Sequence, residues 1–298
     1  MAVSFRRVTS APLQGFDAAA PDGVVIGIIG ESGAGAGGLL ELANGSARPQ
    51  EGSVETSGTI QTYGPEDFAR QDLLARERTA IALDELRRAG GTALIATHEE
   101  ELLRRLADEI WWVRDGRLAG RGDPEEMLAA YRKHVACRAR EAGQGKVAAI
   151  APRMRRGDGR AEVLRVETAG EDGQPTTVWR SGELAVVKVA VRFHEAVADP
   201  VIGIMIRTRI GLNVYGTNTE LERLKLGPRG AGDGIEVTFA FRCELCPGEY
   251  SLTVASHDPD GVWHDWLEDA VAFAVTDSRY TAGVANLRAQ VSYLLSNT

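Results

Sequence analysis

Apolar residues in the first part of the chain form short runs that alternate with helix-like stretches. Residues 24–29 and 92–96 are almost continuously apolar, which is typical of strands buried on both faces of a parallel sheet. Residues 77–89 place apolar side chains on one helical face and end at Gly90-Gly91, which predicts a helix and its stop. The alternation predicts an α/β layer, and we assign this domain to residues 1–136.

Beyond residue 161 the apolar period becomes two, which predicts strands with one buried face. Four segments carry the alternation, and they are residues 187–193, 235–241, 250–254 and 271–275. Turn residues such as Asp233-Gly234 and Pro247-Gly248 separate them. Residues 161–298 are therefore expected to form an all-β sandwich. Residues 137–160, rich in Gly, Ala and Arg without apolar periodicity, are interpreted as a linker.

Composition narrows the classes of partner. The net charge of −8 argues against nucleic-acid binding, which needs a basic surface. No stretch approaches the ~18 apolar residues of a transmembrane helix, so we expect a cytoplasmic protein that reaches the inner face of the cell membrane only through a partner. Cys243 and Cys246 form a CxxC without a second pair, so neither a disulfide framework nor a metal site is expected.

A Gly-rich segment follows the first apolar run and precedes a predicted helix, where a phosphate-binding loop would lie. Its positions are Gly30, Gly33, Gly35, Ala36, Gly37 and Gly38. Ala36 stands where such a loop has its lysine, and Gly37 where it has the hydroxyl that holds magnesium. No lysine occurs in the first 132 residues to replace the missing one. We therefore interpret this segment as a degenerate phosphate loop.

Two other interpretations of the loop remain open. It can be a plain Gly-rich turn, or it can be a dinucleotide site, because Gly33, Gly35 and Gly38 also spell G-x-G-x-x-G. Glu55 then lies near the distance expected of a ribose ligand. No downstream βαβ pattern supports this second alternative.

Three blocks resemble the nucleotide-binding domain of ABC transporters, and they are residues 27–54, 90–99 and 108–117. The resemblance implies an α/β P-loop-like fold, a reduced ABC ATPase core, in which His98 matches the switch histidine as a structural relic. Between Ala36 and His98 the family's helical subdomain, glutamine loop, signature and acidic Walker B strand are not readable. Glu66 and Asp67 are the candidates for a displaced acid. We expect no hydrolysis and no cofactor, and leave residual ATP binding open.

Residues 199–207, 211–219 and 247–254 resemble the C-terminal domain of Wzt-type subunits of O-antigen exporters. The resemblance implies an immunoglobulin-like sandwich that binds the exported polysaccharide and forms a homodimer. Aromatic rings and planar polar groups are what a protein offers to a sugar. The candidate sugar-binding residues are Tyr215, Asn218, His257, Trp263, His264 and Trp266. Asn218 can equally cap backbone, and Trp263 and Trp266, three residues apart, are expected to face opposite ways on a regular strand.

Three functional hypotheses follow from these motifs. The first is a polysaccharide-recognition component of a surface-glycan ABC export system, whose inactive ATPase domain serves as a docking platform. The second is an active ATP-hydrolysing subunit that energises export. The third is a non-enzymatic scaffold that contacts an intact exporter ATPase or the exporter's membrane subunit.

Overall fold

The protein is described by a computed structural model that covers residues 1–292, so the last six residues of the predicted sandwich domain lie outside it. The chain forms two compact units, Met1–Lys133 and His134–Thr298. Among residues 1–292, no helix has the length and apolar character needed to cross a bilayer.

The first unit alternates strands and helices. Its elements in chain order are β1 (Val3–Ser10), β2 (Leu13–Ala20), β3 (Val25–Gly30), α1 (Ala36–Ala43), β4 (Glu51–Thr56), β5 (Ile60–Tyr63), α2 (Pro65–Ala69), α3 (Leu73–Arg88), β6 (Thr92–Ala96), α4 (Glu100–Leu106), β7 (Glu109–Arg114), β8 (Arg117–Gly122) and α5 (Pro124–Gly143), which continues into the second unit.

A five-stranded sheet of order β5-β6-β3-β7-β8 organises this unit. All its neighbouring pairs are parallel except the β7–β8 hairpin. The central strand β3 is buried along its whole length, with Ile26 and Ile28 in one apolar cluster and Val25 and Ile29 in another. The two covered faces explain the continuous apolar run, and the prediction of an α/β layer is confirmed.

A separate antiparallel sheet of order β2-β1-β4 lies in the same unit. β4 belongs to this sheet and β5 to the parallel one, yet only residues 57–59 connect the two strands. The chain therefore passes from one sheet to the other without any intervening helix.

One helix begins earlier than expected. The sequence predicted a helix over residues 77–89, whereas α3 starts at Leu73. The carboxylate of Asp72 accepts a hydrogen bond from the Ala75 amide at 2.8 Å and caps the helix there. The Asp72 cap was a readable start signal that the apolar spacing alone did not reveal.

The second unit is built from strands. They are β9 (Met154–Arg156), β10 (Ala161–Ala169), β11 (Val178–Arg180), β12 (Leu184–Phe193), β13 (Val201–Thr208), β14 (Asn213–Asn218), β15 (Gly234–Arg242), β16 (Gly248–His257) and β17 (Trp263–Thr276).

These strands form two sheets around one apolar core. One sheet has the order β10-β12-β15, and the other has the order β11-β17-β16-β13-β14, with β9 paired to β17. Alternate side chains of both sheets meet in a single cluster, as with Val187 and Val189 from one sheet and Ile204 and Leu252 from the other. The predicted all-β sandwich is therefore confirmed.

The predicted linker over residues 137–160 is structured over much of its length. Residues 137–143 continue α5, and β9 pairs with β17, Arg156 lying opposite Trp266. The interpretation as a linker was wrong for these residues because a three-residue strand of exposed side chains, Met154–Arg156, has no apolar periodicity to detect.

Trp179 anchors the core of the second unit, and its loss should destabilise the unit strongly. The indole is fully buried, donates to the Ala169 carbonyl at 2.8 Å and lies 4.5 Å from the Phe273 ring. Trp179→Ala should lower the free energy of unfolding by about 3–5 kcal/mol, the usual cost of such a cavity. Urea denaturation of the full chain measures this. Tyr215→Ala, at a ring 41% exposed, should cost clearly less, and equal losses would contradict the assignment.

Candidate functional site

The start of β17 brings two tryptophans together on the outer face of the larger sheet. Val254 and Leu267 pair across β16 and β17 and point into the core, so the next pair, Ala255 and Trp266, faces outward. The register then shifts, because one residue of β16 is matched by two of β17, and Trp263 lies opposite His257.

This β-bulge changes which face Trp263 occupies. Ala255 and His257 are two residues apart and share a face, so their partners Trp266 and Trp263 share it as well. The two indole rings lie 4.4 Å apart, and the His257 ring lies 4.9 Å from Trp263. The expectation that the two tryptophans face opposite ways was wrong, because it assumed a regular strand.

His264 is the extra residue of the bulge and lies inside the unit. It is fully buried, its Nδ1 is 3.0 Å from the Ser256 hydroxyl, and its Nε2 is 3.1 Å from Asp258 Oδ1. Arg160 also donates to Asp258, at 2.6 Å. The assignment of His264 as a sugar contact is therefore corrected: it supports the bulge from beneath.

Arg156 on β9 joins the two tryptophans on the outer face. Its guanidinium carbon lies 5.2 Å from the centre of the Trp266 ring, a cation–π contact. We call Arg156, His257, Trp263 and Trp266 the aromatic patch. Sequence reasoning missed Arg156 because it fell in the predicted linker, although three arginines within residues 153–156 were a visible signal.

The segment after β9 holds the bulge in place. The amides of Asp158 and Gly159 donate to the carbonyls of Trp263 and His264, each at 3.0 Å. Arg155 forks onto the buried Asp265 carboxylate at 3.0 and 2.7 Å. Both strands that carry the patch are thus fixed by hydrogen bonds rather than by the patch side chains themselves.

A row of cross-strand neighbours connects the patch to Asn218. The cross-strand row runs from Trp266 through Ala255 and Gly203 to Asn218, and the two middle positions have almost no side chain. Three strand spacings make the row about 14 Å long. Asn218 also caps the backbone, since its Oδ1 accepts from the Leu221 amide at 2.7 Å.

Tyr215 lies away from this face. It pairs with Ile206, whose side chain is in the core, and its ring is 5.7 Å from Phe241 of the other sheet. The structure therefore does not bring Tyr215 to the other candidate residues, and its predicted sugar contact stays a prediction separate from the site at the tryptophans.

The CxxC thiols are buried within the second unit. Burial raises the pKa of the Cys243 thiol to about 11, and burial also raises the pKa of Cys246. A thiol that resists deprotonation is a poor nucleophile and a poor metal ligand. Packing is the role that this geometry supports.

The Gly-rich loop lies between β3 and α1 in the first unit. Gly33 and Gly35 have φ values of 83° and 116°, which favour glycine, and Gly35 precedes the helix that begins at Ala36. A Cβ added to Gly35 would lie 2.5 Å from Leu13 Cδ2, so the β1–β2 hairpin packs closely against the loop. At Gly37, in contrast, nothing lies within 4 Å of an added Cβ.

The pocket beside this loop is poorly suited to an anion. Its volume is about 280 Å³, and its lining includes the carboxylates of Glu31 and Asp115 together with Arg114. Arg114 lies 3.9 Å from Asp115 and is thereby partly neutralised. A phosphate here would meet two acidic groups and, in this lining, a single cation.

Strands β3, β5 and β6 are parallel, so their carboxyl ends reach the same edge of the sheet. His98 follows β6 there and is exposed. β5 ends at Tyr63 and is followed by Gly64, and neither residue is acidic. Glu66 and Asp67, the two candidate acids, follow this strand. Asp67 accepts a hydrogen bond from the Gly64 amide at 2.7 Å and caps α2, whereas Glu66 is exposed.

The dinucleotide interpretation of the loop does not fit the topology. Glu55 lies on β4 in the separate antiparallel sheet, opposite Ser4, with its carboxylate 3.5 Å from Arg6. A ribose ligand would have to follow a parallel strand next to β3.

Comparison with known proteins finds a family model that matches much of the second unit. The family model described as the Wzt C-terminal domain matches residues 152–287. The O-antigen export system ATP-binding protein RfbB of Myxococcus xanthus is 20% identical over 336 residues, covering 84% of this chain and 77% of the relative. That alignment is longer than the whole 298-residue chain, so the relative contains stretches that have no counterpart here.

Two solved structures are similar to parts of the chain. The crystal structure of the C-terminal domain of wzt covers 49% of this chain and 92% of its own, with 23% identity and a TM-score of 0.46. The structure of an ATP binding subunit of an ABC transporter covers 44% and 93%, with 11% identity and a TM-score of 0.40.

The contacts of Asp258 predict an acid-sensitive patch. Burial opposes the charge of Asp258, but hydrogen bonds from Arg160 and His264 outweigh it and hold the pKa of its carboxyl below its usual range. The stabilising contribution of Asp258 is therefore present above about pH 4. It is lost as the pH falls through the lower pKa that this carboxyl has in the folded protein. The gap in unfolding free energy between the wild type and Asp258→Asn should shrink below about pH 4.

Urea denaturation in a pH series, followed by tryptophan fluorescence, measures this gap. Asp260→Asn is the matched control, because it removes an exposed carboxylate from the same loop. A gap for Asp258→Asn that stays constant down to pH 2.5 (~1.5 units below the ordinary value) would contradict the assigned contacts.

Proposed function

Because residues 152–287 belong to the Wzt C-terminal domain family, we propose that the chain is the polysaccharide-recognition component of an ABC export system for an O-antigen-like surface glycan. The aromatic patch is the observation that carries the proposal. It presents indole and imidazole rings on an outer sheet face, and such rings stack on the apolar C–H face of sugars.

The distance between Trp266 and Asn218 suits an extended ligand. The two residues lie in one cross-strand row about 14 Å long, which is the length of a short run of sugar units. The Asn218 amide at the far end can hydrogen-bond to hydroxyls.

We further propose that the first unit no longer hydrolyses ATP. Hydrolysis needs a phosphate clamp, a magnesium ligand and a positioned water. Ala36 and Gly37 cannot supply the clamp or the hydroxyl, and β5 ends at Tyr63, followed by Gly64, where an acidic Walker B strand would carry its carboxylates. The three-residue connection from β4 to β5 leaves no place there for a helical subdomain with a signature motif.

The unit then serves as a docking platform, for a second copy of the chain, for an intact exporter ATPase or for the membrane subunit. The scaffold hypothesis gains support from α3, where Leu74 and Ile81 are two turns apart and are 60% and 58% exposed. The hypothesis of an active ATPase has in its favour the glycine conformations of the loop and the similarity to an ATP-binding relative.

The first test of this function is glycan binding by patch variants of the full chain. Trp263→Ala and Trp266→Ala should each weaken binding roughly tenfold or more, because each removes a large apolar contact surface. Isothermal titration against the polysaccharide of the source cell measures the affinity.

Tyr215→Ala is the matched control, since Tyr215 is also an exposed aromatic but lies off the patch. Its affinity should stay close to that of the wild type. Absence of binding by the wild type, or equal losses for Tyr215→Ala and the tryptophan variants, would refute the proposed site.

The second test concerns nucleotide. We expect no Mg-ATP turnover by the wild type. The double variant Ala36→Lys/Gly37→Ser should bind ATP roughly tenfold to a hundredfold more tightly, since it regains a charge-assisted contact, and Gly37 has room for a side chain. Turnover should nevertheless stay absent, because the acid at the end of β5 is still missing.

A coupled phosphate-release assay and a fluorescent ATP analogue separate turnover from binding. Turnover by the wild type at a rate usual for exporter ATPases would refute the inactive assignment.

A further inference from the structure

We propose that the aromatic patch selects a negatively charged glycan and that Arg156 is the residue that binds its acidic group. The inference rests on the proposed function, because it names the class of glycan for the same site. Its ligand is a sugar repeat that carries a carboxylate, as in a uronic acid, or a phosphate.

Arg156 differs from its neighbours Arg155 and Arg160 in having no anionic partner within residues 1–292. Arg155 forks onto Asp265, and Arg160 bonds to Asp158 and Asp258. Within residues 1–292, Arg156 has neither a carboxylate within 4 Å nor a side-chain hydrogen bond. Its exposed guanidinium therefore keeps its charge available on the outer face.

The contact with Trp266 places this charge in the sugar site. The guanidinium carbon lies 5.2 Å from the ring centre, and Arg156 and Trp266 are also direct cross-strand partners. Packing against a ring leaves the N–H donors at the rim of a guanidinium free, and their fork matches the two oxygens of a carboxylate or phosphate. A sugar that contacts the indoles would thus bring its acidic group within reach of these donors.

The acidic residues near the patch bond to cations other than Arg156. Glu268 pairs with Arg207 at 2.8 Å, Asp265 with Arg155 at 2.7 Å, and Asp258 with Arg160 at 2.6 Å. Arg207 also lies 3.5 Å from Asp269, and Arg160 lies 2.7 Å from Asp158, so these two arginines are shared between carboxylates. The chain as a whole is acidic, with a net charge of −8, so an unpaired arginine beside two indoles is a local exception.

The test uses an array of bacterial polysaccharides probed with the full-length protein. Each polysaccharide is printed in three forms: native, carboxyl-reduced and dephosphorylated. We expect binding to one or more native acidic polysaccharides and its loss when the acidic group is removed. Loss on carboxyl reduction identifies a carboxylate, and loss on dephosphorylation identifies a phosphate.

Two arginine variants then test whether Arg156 binds the acidic group. Affinity of Arg156→Gln for the native acidic polysaccharide should fall roughly tenfold to a hundredfold, the range for a charge-assisted contact. The affinity of Arg156→Gln for any neutral polysaccharide should fall by less than about tenfold. Arg192→Gln is the matched control, because Arg192 is an exposed arginine of β12 in the other sheet without an ion pair among residues 1–292.

The outcomes separate this inference from the proposed function. Binding that depends on Trp263 and Trp266 but survives carboxyl reduction, dephosphorylation and Arg156→Gln would overturn the charge selection and leave glycan recognition standing. Binding to no polysaccharide on the array would overturn both. Equal losses for Arg156→Gln and Arg192→Gln would show attraction by net charge and would also overturn the role of Arg156.

Discussion

The extra residue that β17 inserts opposite His257 is the constraint on which the ligand-facing surface depends. Strand alternation would otherwise place Trp263 and Trp266 on opposite faces. His264 fills the space beneath the bulge, with its Nδ1 3.0 Å from the Ser256 hydroxyl and its Nε2 3.1 Å from Asp258 Oδ1. An outer surface of aromatic rings thus rests on an inner set of hydrogen bonds.

Much of the fold followed from apolar periodicity, because burial imposes it directly. The continuous run at residues 24–29 became the doubly covered strand β3, and the alternation at residues 187–193 became part of β12. The site was harder to predict. A bulge has no compositional signature, since it depends on which residue of a neighbouring strand pairs with which. β9 was missed for a related reason, because it is held by its partner strand rather than by its own side chains.

The first unit contains residues that packing holds in place and residues that packing does not constrain. Ile26 and Ile28 of β3 are held by packing, and changing them would open cavities in the sheet. The positions that would contact a nucleotide are not held by packing in this way. Nothing lies within 4 Å of a Cβ added at Gly37, and the residues at the end of β5 belong to the sheet and to the cap of α2. Residues of this second kind can change while the architecture remains.

The short passage from β4 to β5 has a consequence for the history of the chain. Under the proposed loss of hydrolysis, a lysine or a hydroxyl could return through one or two base changes. A helical subdomain could return only through an insertion at residues 57–59, between β4 and β5.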